Sequence, residues 1–465
     1  MATSLRTIAA ITIFIGLLLA GLTSRQTTTD AAALMSAAQS PSPTPTPAPC
    51  AASQSWITST TPPQEIGSPN PPPVGQETNC QFYQFSWQWF LSLAQPSSTS
   101  SGDRVFETLN VFQPGENNQC NGPKATGKAA AAKALFVRLR KPTLATIQPV
   151  TPGELNQATG QPLYDQNGNI IFYNVFYNPT ECQATSAGYK PNTVEIKISW
   201  RKLTAPDPTY YTMEANVNGT QMLLGLVGFH LVINTALHPE FVWATWEHVA
   251  NNPDCINPAP APASGWSFIS AACSTCPSSC GTSCNLLKCA PASCKVNATP
   301  PKIKNPPLTG PANQVCRAFS DGTDPGPMTN GNNNDTNRFN IDTLNQQIPM
   351  GYLAQLPDGN PMKIWQNYRM VGGLWTNGGV PSTGTNVQRG SLELANTTME
   401  TFFQQSPNNC FTCHRYTVPP PATNNPLKVS HIICALLPTS TTGCSPSLLV
   451  QMKKPIQKKK ASPKK

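Results

Sequence analysis

Cys410-Phe411-Thr412-Cys413-His414 is the stretch whose residue types and spacing point to one specific chemistry. Two thiols three residues apart can add to the two vinyl groups of one porphyrin. The adjacent imidazole then lies under the ring and binds iron axially. Covalent attachment keeps such a cofactor in place even where the surrounding core is small. With 16 Cys and five His in the chain, random placement would give this pattern fewer than about 0.01 times. The competing reading is two disulfide cysteines beside an incidental His.

A haem held this way has a second axial position, and its occupant sets potential and function. His230 and His248 sit in apolar runs beside bulky aromatics. A turn centred near residue 239 would place them opposite each other on one side of a hairpin. His431 follows the motif by 17 residues, and Met399 precedes Cys410 by 11 on an expected helix from Leu392 to Phe403. His238 falls in the expected turn and reads as solvated. Met452 lies within the lysine tail and is a poor ligand. Two His ligands would make a low-potential carrier, since Met raises the potential. An open position flanked by His248 with Glu247, or by Arg369, would instead suit a peroxidase-like enzyme or a small-molecule oxidase.

The elements around these residues suggest an α+β fold, rich in loops. Antiparallel strands are expected from 160 to 250, with a smaller helical haem-bearing part from 390 to 435. The aromatic run Phe82–Leu91 reads as a core helix, with a haem-lining role as the sharper alternative. Asn167-Gly168 signals a hairpin turn. The acidic and amide residues there lack the closing carboxylate of a calcium loop, where Phe176 stands instead. Val194, Ile196, Ile198 and Trp200 alternate with polar residues, the pattern of a half-buried strand. Leu223–Asn234 and Phe241–Val249 read as two further strands. Eight cysteines between Cys255 and Cys316, with little apolar material, call for staples. Disulfides fit best; zinc or an iron–sulfur cluster is the alternative, because Cys273 and Cys276 make one CxxC pair without a second.

Composition adds the setting. Charged residues are only 11% and prolines number 49, while 39% hydrophobic residues can still build a core. The apolar run Ile8–Leu22 reads as an export signal or an anchor to the inner membrane. Sixteen cysteines suit an oxidising compartment, periplasmic or extracellular. Seven lysines crowd the last 13 residues, and without them the net charge of +9 falls to +2. No aromatics interleave them, so nucleic-acid binding is not expected. The implied boundaries are a signal or anchor at 1–26, a Pro/Ser/Thr-rich linker at 27–75, and a mixed β part at 76–254. A Cys-rich insertion at 255–316, a haem c-bearing part at 317–440 and a Lys-rich tail at 441–465 follow.

Through Cys410, Cys413 and His414 the chain resembles the cytochrome c superfamily. It is also similar to large, little-characterised secreted bacterial cytochromes with a single such motif near the C-terminus. The stretches that carry this are Leu226–His230, Trp243–Val249, Trp365–Arg369, Asn396–Thr401 and Ser430–Ile432. The resemblance implies one covalent haem c and electron transfer with a redox partner protein, and names no substrate. Unlike small cytochromes c, the motif lies late in the chain. An electron carrier is therefore expected ahead of a haem enzyme, with a disulfide-stapled binding protein lacking haem as the third reading.

Overall fold

The apolar runs become strands of one antiparallel sheet. In the computed structural model these are β1 (Asn110–Val111), β2 (Phe172–Tyr177), β3 (Val194–Leu203), β4 (Thr212–Val217), β5 (Thr220–Ile233), β6 (Val242–His248), β7 (Tyr368–Thr376) and β8 (Gln388–Gly390). Their order is β1-β2-β3-β5-β6-β7-β8, with β4 also paired to β5. The structure describes residues 50–438 except 114–117, 123, 125, 134–160, 218, 302, 304–305, 321–333, 377–387, 406–407, 415–416, 419–422, 425 and 431. The N-terminal apolar run, His431 and the lysine tail lie outside the described residues. No helix among the described residues is long and apolar enough to cross a membrane.

Two bulges shape the sheet. Ser199 pairs with Gly228 and Trp200 with Leu226, so Val227 is the extra residue on β5. Its carbonyl accepts from Asn251 Nδ2 at 2.7 Å. Thr245 pairs with Gly372 and Trp246 with Met370, leaving Val371 extra on β7. Such insertions bend a strand and re-aim its side chains.

Helix α1 (Asn79–Ala94) covers one face. Thr78 caps it, with a reciprocal bond to Gln81. Its aromatics are core, as the simpler reading expected: Phe90 stacks on Trp246 at 4.6 Å, and Trp87 meets Trp246 edge-on at 5.6 Å. Trp365, from the turn before β7, closes the same layer against Phe90. Residues 50–75, expected as linker, pack instead on the body. Cys50 is bonded to Cys80, Ile57 and Ile66 are buried, and Gln95 Nε2 donates to the Ile57 carbonyl at 2.6 Å. Few apolar side chains suffice there because a disulfide and side-chain bonds tie the segment down.

The other face carries Lys197, Ser199, Gly228, His230, Val232, Trp243, Thr245 and Glu247. Residues 391–404 lie across it. This cover was expected to be helical and is a series of turns. Its side chains bond the sheet rather than continuing a helix. Asn396 Nδ2 donates to Thr245 Oγ1 at 2.8 Å, and Thr397 N donates to Glu247 Oε1 at 2.7 Å. Thr398 and Ser199 hydroxyls meet at 2.6 Å. A longer helix, α2 (Asn334–Gln347), precedes β7, and from residue 390 on the described helical content is small, mainly the one-turn helices α3 (Cys410–Cys413) and α4 (Ile433–Leu436).

Cys255–Cys316 closes the ends of the Cys-rich segment, and Cys273–Cys294, Cys276–Cys284 and Cys280–Cys289 staple its interior. The disulfide expectation is met by all eight cysteines. The Asn167-Gly168 turn is present, with Gly168 at φ +73°.

Candidate functional site

Asn409 starts the turn that carries the motif. Its side chain accepts from Phe411 N at 3.0 Å, while its Nδ2 donates to the Leu392 carbonyl at 2.7 Å and to Gln388 Oε1 at 2.9 Å. One residue therefore caps the helical turn and pins it to the cover segment. Phe411 anchors the turn from below, buried with Val232, Trp243, Leu394 and Val429. Cys410 is half-buried and Cys413 exposed, and both are thiols. All other described cysteines are in disulfides. Burial pushes the Cys410 thiol up, and the Glu400 carboxylate adds to this.

His414 Nδ1 lies 2.7 Å from the Val429 carbonyl. A carbonyl can only accept, so Nδ1 carries the proton. The neutral ring then holds its lone pair on Nε2, the state in which an imidazole binds a metal. The Trp243 ring lies 4.4 Å from the imidazole centroid and limits how it can turn.

His230 stands on the same sheet face. Its Nε2 contacts both oxygens of Glu400, at 3.0 and 3.1 Å. Across the strand pair it faces Lys197. Burial alone would raise the Glu400 carboxyl, but the charges of His230 and Lys197 outweigh it and hold the group below its ordinary value. Glu400 thus links the His230 cluster to Cys410.

The expected pairing of His230 with His248 is not found. His230 pairs with Thr245, and His248 pairs with Tyr368 on β7. The hairpin centre is shifted from residue 239, and His248 lies three positions beyond Thr245, an odd offset, so the two His point to opposite faces. His248 is buried on the α1 side. Its Nε2 donates to the Thr209 carbonyl at 2.9 Å, its Nδ1 accepts from Ala250 N at 3.1 Å, and its ring stacks on Tyr210 at 3.8 Å. Burial lowers it to about 4. Both nitrogens are engaged and no lone pair remains for iron. Its neighbour Glu247 is likewise committed, to Arg317 at 2.6 Å and to Thr397.

His238, expected to be solvated, is fully buried. Its Nδ1 lies 3.0 Å from Glu240 and its Nε2 3.3 Å from Glu77. Met399 is buried in the main core, apart from the small cluster around Phe411.

Several contributors carried no sequence signal. The Val429 carbonyl is a backbone group that any residue would supply. Glu400 and Trp243 matter through long-range placement. Asn409 was readable, since Asn before a helical turn is a common cap. Glu181 and Glu195 were also missed. They face each other beneath Ser430, next to Val429; burial and the charge of Glu195 raise Glu181 well above the carboxylate range. Comparison with family models, curated proteins and solved structures returns no match for this chain.

Proposed function

We propose that the chain is an extracytoplasmic c-type cytochrome. Cys410 and Cys413 would hold one haem through thioether links, and His414 would bind its iron. Bound haem would supply one-electron redox chemistry, and the protein would pass electrons to a partner protein.

The observation that carries this reading is the hydrogen bond from His414 Nδ1 to the Val429 carbonyl. It selects the tautomer that places the ring's lone pair on Nε2, beside two thiols on the same helical turn. That donor set fits haem c. Six further disulfides fully within the described residues favour an oxidising compartment.

His230 is the candidate for the sixth ligand. It shares the motif's face, whereas His248 lies across the sheet with both nitrogens engaged. A carboxylate such as Glu400 accepting from one ring nitrogen is the arrangement that orients a metal-bound imidazole through the other. Two of the polar groups invoked for an enzyme reading, His248 and Glu247, are tied into structural bonds, which favours a carrier.

The test is attachment. The full chain, produced in a host able to attach haem c, should keep haem through denaturing electrophoresis. Cys410→Ser with Cys413→Ser should lose it. Haem release from the unaltered chain under those conditions would sink the proposal.

A further inference from the structure

Four cysteines of the Cys-rich segment are set apart from the rest. Cys276 is bonded to Cys284 and Cys280 to Cys289. The sulfurs of Cys276, Cys280 and Cys289 lie within 4.8 Å of one another, and each of these residues is half-exposed. A tetrahedral zinc site with Zn–S near 2.3 Å needs sulfurs about 3.8 Å apart. Cys276 Sγ lies within 4.8 Å of both sulfurs of the bonded Cys280–Cys289 pair, so opening that bond leaves three sulfurs within reach of one ion, and Cys284 is tied to the group through Cys276.

The other two disulfides are differently placed. Cys255–Cys316 and Cys273–Cys294 are buried, at 1%, 0%, 7% and 7% exposure, within the segment's own small core of Ile269 and Leu286. Exchange with an external thiol depends on access, so reduction should begin at the half-exposed bonds.

We propose that Cys276, Cys280, Cys284 and Cys289 form a soft-metal site, of the zinc class, closed off as two disulfides when oxidised. Opening takes two equivalents of a dithiol reductant. Each disulfide accepts two electrons and two protons, giving four thiols, while each dithiol becomes a disulfide. Metal binding then displaces the four thiol protons and leaves a tetrathiolate centre. Hard oxygen donors are absent from the cluster, so a thiophilic ion is favoured over calcium or magnesium.

The test uses the full chain, treated anaerobically with limiting dithiol and then titrated with Cd2+ as a spectroscopic stand-in for zinc. One Cd2+ per chain is expected, with thiolate-to-cadmium absorption in the ultraviolet. Peptide mapping should still find Cys255–Cys316 and Cys273–Cys294 intact. The Cys280→Ser/Cys289→Ser variant keeps Cys410 and Cys413 and should lose the uptake. Unchanged uptake in that variant would assign the metal to other thiols and overturn the proposal. So would the absence of uptake after the outer disulfides are shown to be open.

Discussion

His238 shows how a single side chain can tie stability to pH. Burial alone would lower it, but the bond to Glu240 and the charges of Glu240, Glu77 and Glu65 outweigh that, so it is raised above 6.5. A raised imidazole binds its proton more tightly in the folded state. Its contribution is therefore full below the unfolded value near 6.5 and is lost as pH rises through the folded value. Urea midpoints should fall across that interval in the native chain and fall less in His238→Gln. Replacement by Ala would leave Glu77 and Glu240 facing each other and should cost about 3 kcal/mol at neutral pH. Glu181 acts in the same direction over a window that starts lower, at the carboxylate value of 4.5. The folded state keeps its proton while the unfolded chain releases it, so stability declines as pH rises above 4.5. Glu181→Gln should flatten that decline, measured by urea denaturation from pH 4 upward.

At the scale of elements, the approach of the cover segment to the sheet decides the site. A Cβ on Gly228 would collide with the hydroxyls of Thr398 and Ser199, and one on Gly372 with Ser391 and Leu394. Gly228→Ala should therefore lower stability by about 1–3 kcal/mol, read from the denaturant midpoint. It should also weaken protection of amides in 396–401 from hydrogen exchange. Period-two alternation made β3 legible in advance, and long apolar runs did the same for β5 and β6, which are buried on both faces over most of their length. Register was not legible: the centre of the β5–β6 turn depends on which residues the loop consumes, and a shift of three moved His248 to the far face. The cover segment misled because its apolar spacing suits a helix, while Asn396, Thr397 and Thr398 spend their side chains on the sheet. Three of the five stretches behind the family resemblance, Leu226–His230, Trp243–Val249 and Asn396–Thr401, meet at this face.

Across the whole molecule, the charge network around Arg317 joins the Cys-rich segment to the sheet. Arg317 binds Glu247 and Asp254, each at 2.6 Å, in a nearly fully buried setting. Arg317→Ala should cost about 3–5 kcal/mol by leaving Glu247 buried without its cation. The drop in thermal midpoint checks this, and Asp254, a quarter exposed, should matter less. The segment, the sheet and the motif-bearing turn thus depend on one another, so attachment of a haem should raise the midpoint of the entire body. The most direct measurement is the visible spectrum of the reduced full chain, made in a host that attaches haem c, before and after carbon monoxide. A sharp c-type spectrum unmoved by carbon monoxide is expected, turning sensitive in His230→Ala and staying insensitive in His248→Ala. A folded, disulfide-bonded chain with no haem spectrum would contradict the cytochrome reading and leave a stapled binding protein.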